Sequence, residues 1–272
     1  MTDQEMKARI AEKRALIRWT DEEFESDQML KRPQPPLAKA PVSDTVLDLP
    51  RDFDRLTLET DLVRLLYARR SHRVYTGEGM DLRTLAYLCW AQQGVKSIRG
   101  NNYATLRTVP SGGARHPFEL YMMVQKVEGL VPGLYHYLPL THQLELLQAV
   151  DVTEPAFREK VSGSLCGQLW AVKADVIFYY SILPYRGEWR YAYDAHRVML
   201  IDAGHVSQNL YLACGSVRLG TCAIAAVDTN AASALFGVDG EEEYVFYSLP
   251  VGTVAAANEA EEQAFYAFLK EE

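Results

Sequence analysis

Between about Tyr191 and Val217 the apolar residues fall almost all the way round a helical wheel: Ala195, Val198, Met199, Ile201, Val206, Leu210, Leu212, Ala213 and Val217 share no single face. A helix that is apolar on every side has no surface suited to water, so it must be enclosed by its own chain or by a second subunit. Gly204 and Gly215 lie within it. Each costs about 1 kcal/mol of helix propensity, and close packing against another element is a physical reason to accept that cost. Gly220 ends the pattern. A long enclosed helix needs a large body around it, which 272 residues with 48% hydrophobic content can build.

The remaining elements alternate without βαβ regularity. Thr60 or Asp61 can cap a helix through Leu62, Leu65 and Leu66 into Arg69. Asp81 can cap a second, with Leu82, Leu85, Leu88 and Cys89 on one face and Gly94 at its end. Phe118–Val127 alternates two sets of bulky side chains, so both faces of that strand are expected to be covered. Gly133–Tyr137 and Leu144–Leu147 continue it as an antiparallel meander, Phe157–Leu169 reads as helix, and Ala174–Ser181 reads as a central strand. Thr221–Val227 and Tyr244–Val251 read as further strands. This mixture predicts an α+β domain. Residues 1–30 are highly charged, with Ile10, Leu16, Ile17 and Trp19 at loosely helical spacing, and Lys31–Pro41 carries four prolines. Residues 1–56 therefore read as an N-terminal arm and Pro-rich linker, with a short strand over Thr45–Leu49, and residues 57–272 as the folded domain.

The formal net charge of −8 argues against nucleic acid or an anionic membrane as a partner. Any anion site must be a local concentration of positive charge. Cys89, Cys166, Cys214 and Cys222 lack metal-ligand spacing and sit among apolar neighbours, as expected of reduced residues in a cytoplasmic protein. The six histidines include no pair at i, i+4 and no HExxH, so no metal site is expected; no GxSxG elbow occurs either. His205, within the long helix, reads as a hydrogen-bonded core residue.

Two segments remain as candidates for chemistry. Arg69-Arg-Ser-His-Arg73 follows an apolar helical run. Its guanidinium forks and hydroxyl suit phosphate oxygens, although a solvated basic helix end is the plainer alternative. Pro110-Ser-Gly-Gly113 precedes a strand, where a dinucleotide fingerprint would follow one. Such a loop can present backbone N–H groups to a flat ring, or be an ordinary turn.

Taken in order, Arg69–Arg73, Arg107–Glu119, Gly133–Tyr137, Asp202-Ala-Gly-His-Val-Ser-Gln-Asn-Leu210, Leu219-Gly-Thr221 and Leu249-Pro-Val-Gly252 resemble the FMN-dependent nitroreductase superfamily, in particular its SagB/ThcOx-like branch. The resemblance covers about residues 57 to 253 and implies a mostly antiparallel sheet flanked by helices in an intertwined homodimer. By similarity, Arg69, Arg70 and Ser71 would hold the FMN phosphate, and Arg73 would lie near the N1/O2 edge of the flavin. Pro110, Ser111, Gly112, Gly113, Gly220 and Thr221 would line the ring or ribityl chain, from their own or the partner subunit, with Gln208 a further contact. The implied activity is ping-pong hydride transfer from NADH, NADPH or an organic donor to a small organic acceptor. Azoline-oxidising members carry a Lys-Tyr pair where this chain has Arg190-Tyr191. Arg cannot act as a base near neutral pH, so Arg190 would bind an anion and Tyr191 donate a proton. An azoline dehydrogenase acting on a modified peptide is the alternative, and a non-catalytic flavin-binding protein another.

Overall fold

Strands β4 (Phe118–Val124) and β7 (Val176–Ile182) are buried along their whole length, and they pair antiparallel at the heart of the sheet in the computed structural model. The structure describes residues 1–15, 18, 23–255, 260, 261 and 264. Alternation on β4 explains why two layers of helix are needed. Leu120, Met122 and Val124 enter one core with Phe178 and Leu210, whereas Tyr121 and Met123 enter a second core with Ile177, Tyr179 and Phe236. The expectation that both faces are covered is met.

With β1 (Val46–Asp48), β5 (Gly133–Leu138), β6 (Gln143–Ala149), β8 (Leu219–Thr221) and β9 (Tyr244–Thr253), the sheet has seven strands in the order β1-β6-β5-β4-β7-β9-β8, every pair antiparallel. A separate hairpin, β2 (Val95–Arg99) with β3 (Ala104–Arg107), forms where the sequence offered only a polar segment. The domain is α+β with an antiparallel sheet between helices. One face carries α3 (Leu82–Gln93) and α6 (Ala195–Ser216), the other α4 (Pro155–Ser164) and α7 (Thr229–Phe236); α1 (Asp3–Ala15), α2 (Leu62–Ala68) and α5 (Pro184–Tyr191) complete the helices among the described residues.

Helix ends follow local chemistry. The Asp61 carboxylate accepts from the amides of Val63 and Arg64, and Asp81 accepts from Thr84, as the capping residues predict. The helix expected over Phe157–Leu169 starts at Pro155 and stops at Ser164, because Cys166 and Gly167 both take positive φ. The strand expected over Thr221–Val227 ends at Thr221; Ile224 keeps an isolated antiparallel bridge to Ser248 before Asp228 caps α7.

The long helical pattern is broken at Ala192, whose φ of 46° separates α5 from α6. Nor is α6 enclosed by its own chain. Leu200 and Ile201 are 60% and 51% exposed, and Gly204 and His205 continue the same open stripe. His205 is thus a surface residue, contrary to expectation: it falls on the one α6 face that the sheet and α3 leave uncovered. Beside that stripe, α2 buries no residue and turns Leu62, Val63, Leu66 and Tyr67 outward, the last 94% exposed.

From Asp27 onward the chain is tied to the body: the Tyr185 hydroxyl donates to Asp27, the Gln28 amide to the Trp189 carbonyl, Trp189 Nε1 to the Arg32 carbonyl and Arg107 to the Leu37 carbonyl. The Lys39 amide donates to Glu119, the Val42 and Ser43 amides donate to Glu145, and β1 joins the sheet edge. Leu16, Ile17 and Trp19 lie outside the described residues.

Candidate functional site

The cationic segment begins where α2 stops. Arg69 is the C-terminal cap residue, its guanidinium 5.3 Å above the Tyr211 ring, and the Ser71 hydroxyl is 3.0 Å from the Tyr211 hydroxyl. The amide of His72 donates to the Thr221 carbonyl, which lays the segment along β8. Gly220 makes this approach possible: a Cβ there would lie 2.6 Å from Val254 Cγ1 and 2.7 Å from His72 Cβ. Arg69, Arg70, His72, Tyr211 and Thr221 line a pocket of about 160 Å³ with Arg69 and Arg70 exposed at its rim. Arg73 turns away and stacks over Trp170 at 5.7 Å.

The Pro110–Gly113 bend lies elsewhere, against the other half of α6. Asp202 accepts from the Ser111 hydroxyl at 2.6 Å and from the Gly112 amide at 3.1 Å, and the Ser111 oxygen accepts from the His116 amide. Two polar groups of the bend are therefore engaged inside the chain. Burial raises the Asp202 carboxyl above its ordinary value, while these two hydrogen bonds pull the other way. Gly113 has φ +56°, and a Cβ on it would lie 2.6 Å from Arg190 Nε and 2.8 Å from the Tyr191 hydroxyl oxygen. Arg190 and Tyr191 at the end of α5 thus meet the bend directly. Gln208 is half-buried on α6, between the two regions.

One chain therefore brings the predicted residues together as two groups and not as one. Arg69, Arg70, Ser71, Gly220 and Thr221 gather around Tyr211, whereas Ser111, Gly112, Gly113, Arg190 and Tyr191 gather around Asp202. Nine residues of helix from Asp202 to Tyr211 span roughly 14 Å at 1.5 Å per residue.

Nothing local to Tyr103 or Asp202 marks either residue as a support of the second group. Tyr103 accepts from Arg190 Nη1 at 2.6 Å and from Gln28 Nε2 at 2.8 Å through its hydroxyl oxygen. Asp202 opens the Asp202–Leu210 stretch of α6, but its partners are about ninety residues away, beyond what spacing can reveal.

A family model described as Nitroreductase family matches residues 66–253, from the end of α2 to the end of β9. The chain belongs to the nitroreductase family. A Methanocaldococcus jannaschii protein named as a nitroreductase is 29% identical over 78% of this chain and 98% of its own length. Two processing proteins match a shorter stretch, in agreement with the SagB/ThcOx-like resemblance. The trifolitoxin-processing protein TfxB of Rhizobium leguminosarum is 33% identical over 42% of this nitroreductase-family chain and 31% of its own. The microcin B17-processing protein McbC of Escherichia coli is 30% identical over 42% of each. Among solved structures, a Ralstonia eutropha protein named as a nitroreductase superposes with a TM-score of 0.60 at 22% identity, covering 83% of this chain and 97% of that one. The E. coli microcin synthetase McbBCD complex gives 0.56 at 18% identity, covering 93% and 95%. Both show the same fold.

Among the described residues no helix is long and apolar enough to cross a membrane.

Proposed function

We propose that this nitroreductase-family protein is an FMN-dependent oxidoreductase working as a homodimer. It would exchange hydride between a nicotinamide or organic donor and a small organic acceptor in a ping-pong cycle. The observation that supports this best is the division of the site between two halves of α6, with an apolar stripe of α6 and α2 exposed alongside. Single exposed apolar residues need no explanation, but Leu200 and Ile201 on α6 with Leu62, Val63, Leu66 and Tyr67 on α2 are several large ones on two packed helices, as an interaction surface has. A two-fold axis that packs α6 against its copy in antiparallel fashion would set the glycine bend of one subunit beside the cationic segment of the other. The whole site would then be completed by the dimer.

The residues present fit the cofactor. Arg69 and Arg70, exposed at the mouth of a pocket that includes the Thr221 backbone, offer charged forks, and Ser71 adds a neutral donor. The approach of His72 to Gly220 fixes that segment so that little order has to be imposed on binding. Arg73, stacked on Trp170 and turned from the Arg69 pocket, would have to swing back to reach the electron-rich edge of the ring, where a positive charge favours the reduced state. The Gly112–Gly113 bend, braced by Asp202, is assigned to the ring wall, and Tyr191 to proton donation beside it. When bound, FMN supplies the hydride-exchanging ring; the chain supplies grip, orientation and charge.

Purification gives the test. A yellow protein with FMN near one per subunit, bleached by anaerobic NADH or NADPH, is expected. A colourless protein that refuses added FMN sinks the proposal.

Similarity to two processing proteins favours a second reading, azoline dehydrogenation on a modified peptide. Arg190 is the discriminating residue. Turnover of a heterocycle-containing peptide by Arg190→Lys but not by the natural protein would tie that activity to the missing Lys; turnover by neither removes this reading.

A further inference from the structure

Helix α5 carries two arginines one turn apart, and they are treated differently. Arg186 is buried and ion-paired with Glu119. Arg190 is half-buried and makes no ion pair with any described residue. The nearest carboxylate on its own helix, Glu188, is engaged by His196 at 2.9 Å. A second guanidinium without an ion pair to any described residue lies close by. Arg115 is only 5% exposed, and donates from Nε to the Gly113 carbonyl and from Nη2 to the Tyr103 carbonyl.

Aromatic faces hold both groups in place. Arg115 stacks on Tyr103 at 4.8 Å and Trp189 at 5.4 Å, and Arg190 lies 5.5 Å from the centre of the Tyr191 ring. Of the five N–H donors on a guanidinium, Arg190 commits a single one to a described partner, the Tyr103 hydroxyl, leaving its fork available. Burial, and after it the charge of Arg190, pushes the Arg115 guanidinium below its ordinary value. Two like charges are thus held together beside the Gly113 backbone without a described acidic group to separate them.

An anion would remove that tension, and none of the described residues supplies one. We propose that Arg190, backed by Arg115, recognises a carboxylate on the organic substrate and seats it against the Gly112–Gly113 bend. The planar guanidinium matches two coplanar oxygens, and the neighbouring rings suit a flat organic acid better than a tetrahedral oxyanion. The phosphate of the cofactor is assigned to the cationic segment around Arg69 and Arg70, so it does not account for this pair. The inference rests on the bend being a wall of the active site.

Calorimetry with benzoate and its uncharged isostere benzamide tests it, on the protein as purified and after saturation with FMN. Benzoate is expected to bind the natural protein more tightly. That preference should fall about tenfold or more in Arg190→Gln and be partly kept in Arg190→Lys, since a charge-assisted hydrogen bond is worth that much. FMN content should be equal in all three. Equal binding of the two probes to the natural protein, or an unchanged preference in Arg190→Gln, overturns the assignment. So does loss of FMN from Arg190→Gln, which would assign the guanidinium to the cofactor. A protein that refuses FMN yet keeps an Arg190-dependent preference for benzoate would sink the flavin proposal and leave the anion pair standing.

Discussion

Glu119 and Arg69 lie at opposite extremes of burial, and their surroundings differ accordingly. Glu119 is 1% exposed; it accepts from the Lys39 amide, pairs with Arg186 and lies 3.1 Å from His136 Nε2. His136 in turn meets Glu145 at 2.6 Å, and Glu243 gathers the hydroxyls of Tyr121 and Ser181 with the Lys39 ammonium. Every charge there has its answer within the chain, as burial requires. Arg69 is exposed, spread over one aromatic ring at the mouth of a pocket. The difference separates charge that holds the fold from charge offered to something else. Mutation should split the two along the same line, one affecting unfolding and the other affecting ligand retention.

The largest effect is expected at the buried cluster. Glu119→Gln removes the charge that Arg186 and His136 are built around, and breaking a buried pair costs about 3–5 kcal/mol. Urea unfolding should show that loss, with FMN affinity of the remaining folded protein little changed. The cluster also sets a pH signature. Burial opposes the charged imidazole of His136, but Glu119 and Glu145 outweigh it, so its pKa lies above the ordinary 6.5. Its contribution is complete below about 6.5 and is lost as pH rises through the raised folded value. Burial pushes the Glu119 carboxyl up; Arg186 and His136 more than reverse this and hold it well below its usual 4.5. That contribution is present above about 4.5 and lost as pH falls through the depressed value. His136→Gln should therefore flatten the alkaline side of the stability profile measured by urea midpoints.

The sequence made one side of this comparison legible and hid the other. Asp61, Asp81 and Gly94 announced helix ends, because capping is settled within four residues. Bulky alternation on Phe118–Val124 announced a doubly covered strand, because side-chain period is a local property. Lys39 reaches Glu119 and Glu243 across 80 and 204 residues and Arg186 reaches Glu119 across 67, so spacing could not reveal those members of the cluster; His136 and Glu145, 9 residues apart, meet because β5 and β6 pair. The Arg69–Arg73 run was visible because its charges are consecutive. The division of the site across α6 was not, since it depends on which face the sheet leaves open. The same dependence placed His205 on the surface.

Intermediate effects should follow in the cationic region. Arg69→Ala is expected to lower FMN affinity about tenfold or more while leaving the urea midpoint nearly unchanged, because one charge-assisted contact is lost at an exposed position. Gly220→Ala bridges the two sides of the comparison. Its methyl group would lie 2.7 Å from His72 Cβ, so overpacking should cost about 1–3 kcal/mol and displace Ser71 as well. Equilibrium dialysis with FMN alongside urea unfolding should therefore record a loss in both.

A small gain in chain stability, and the effect most informative about assembly, is expected at Gly204. In one chain nothing lies within 4 Å of a Cβ placed there, and the residue sits on the open stripe of α6. By helix propensity alone Gly204→Ala should stabilise the chain by about 1 kcal/mol, and urea unfolding at high dilution should show that gain. If α6 packs against its own copy, the same methyl group must be fitted between two helices twice over. Sedimentation should then find the dimer weakened and FMN released more readily. A variant that gains stability and dimerises as before would mean that α6 does not meet its copy at Gly204. The glycine bend would then reach the cationic segment of the other subunit, if at all, by a different packing.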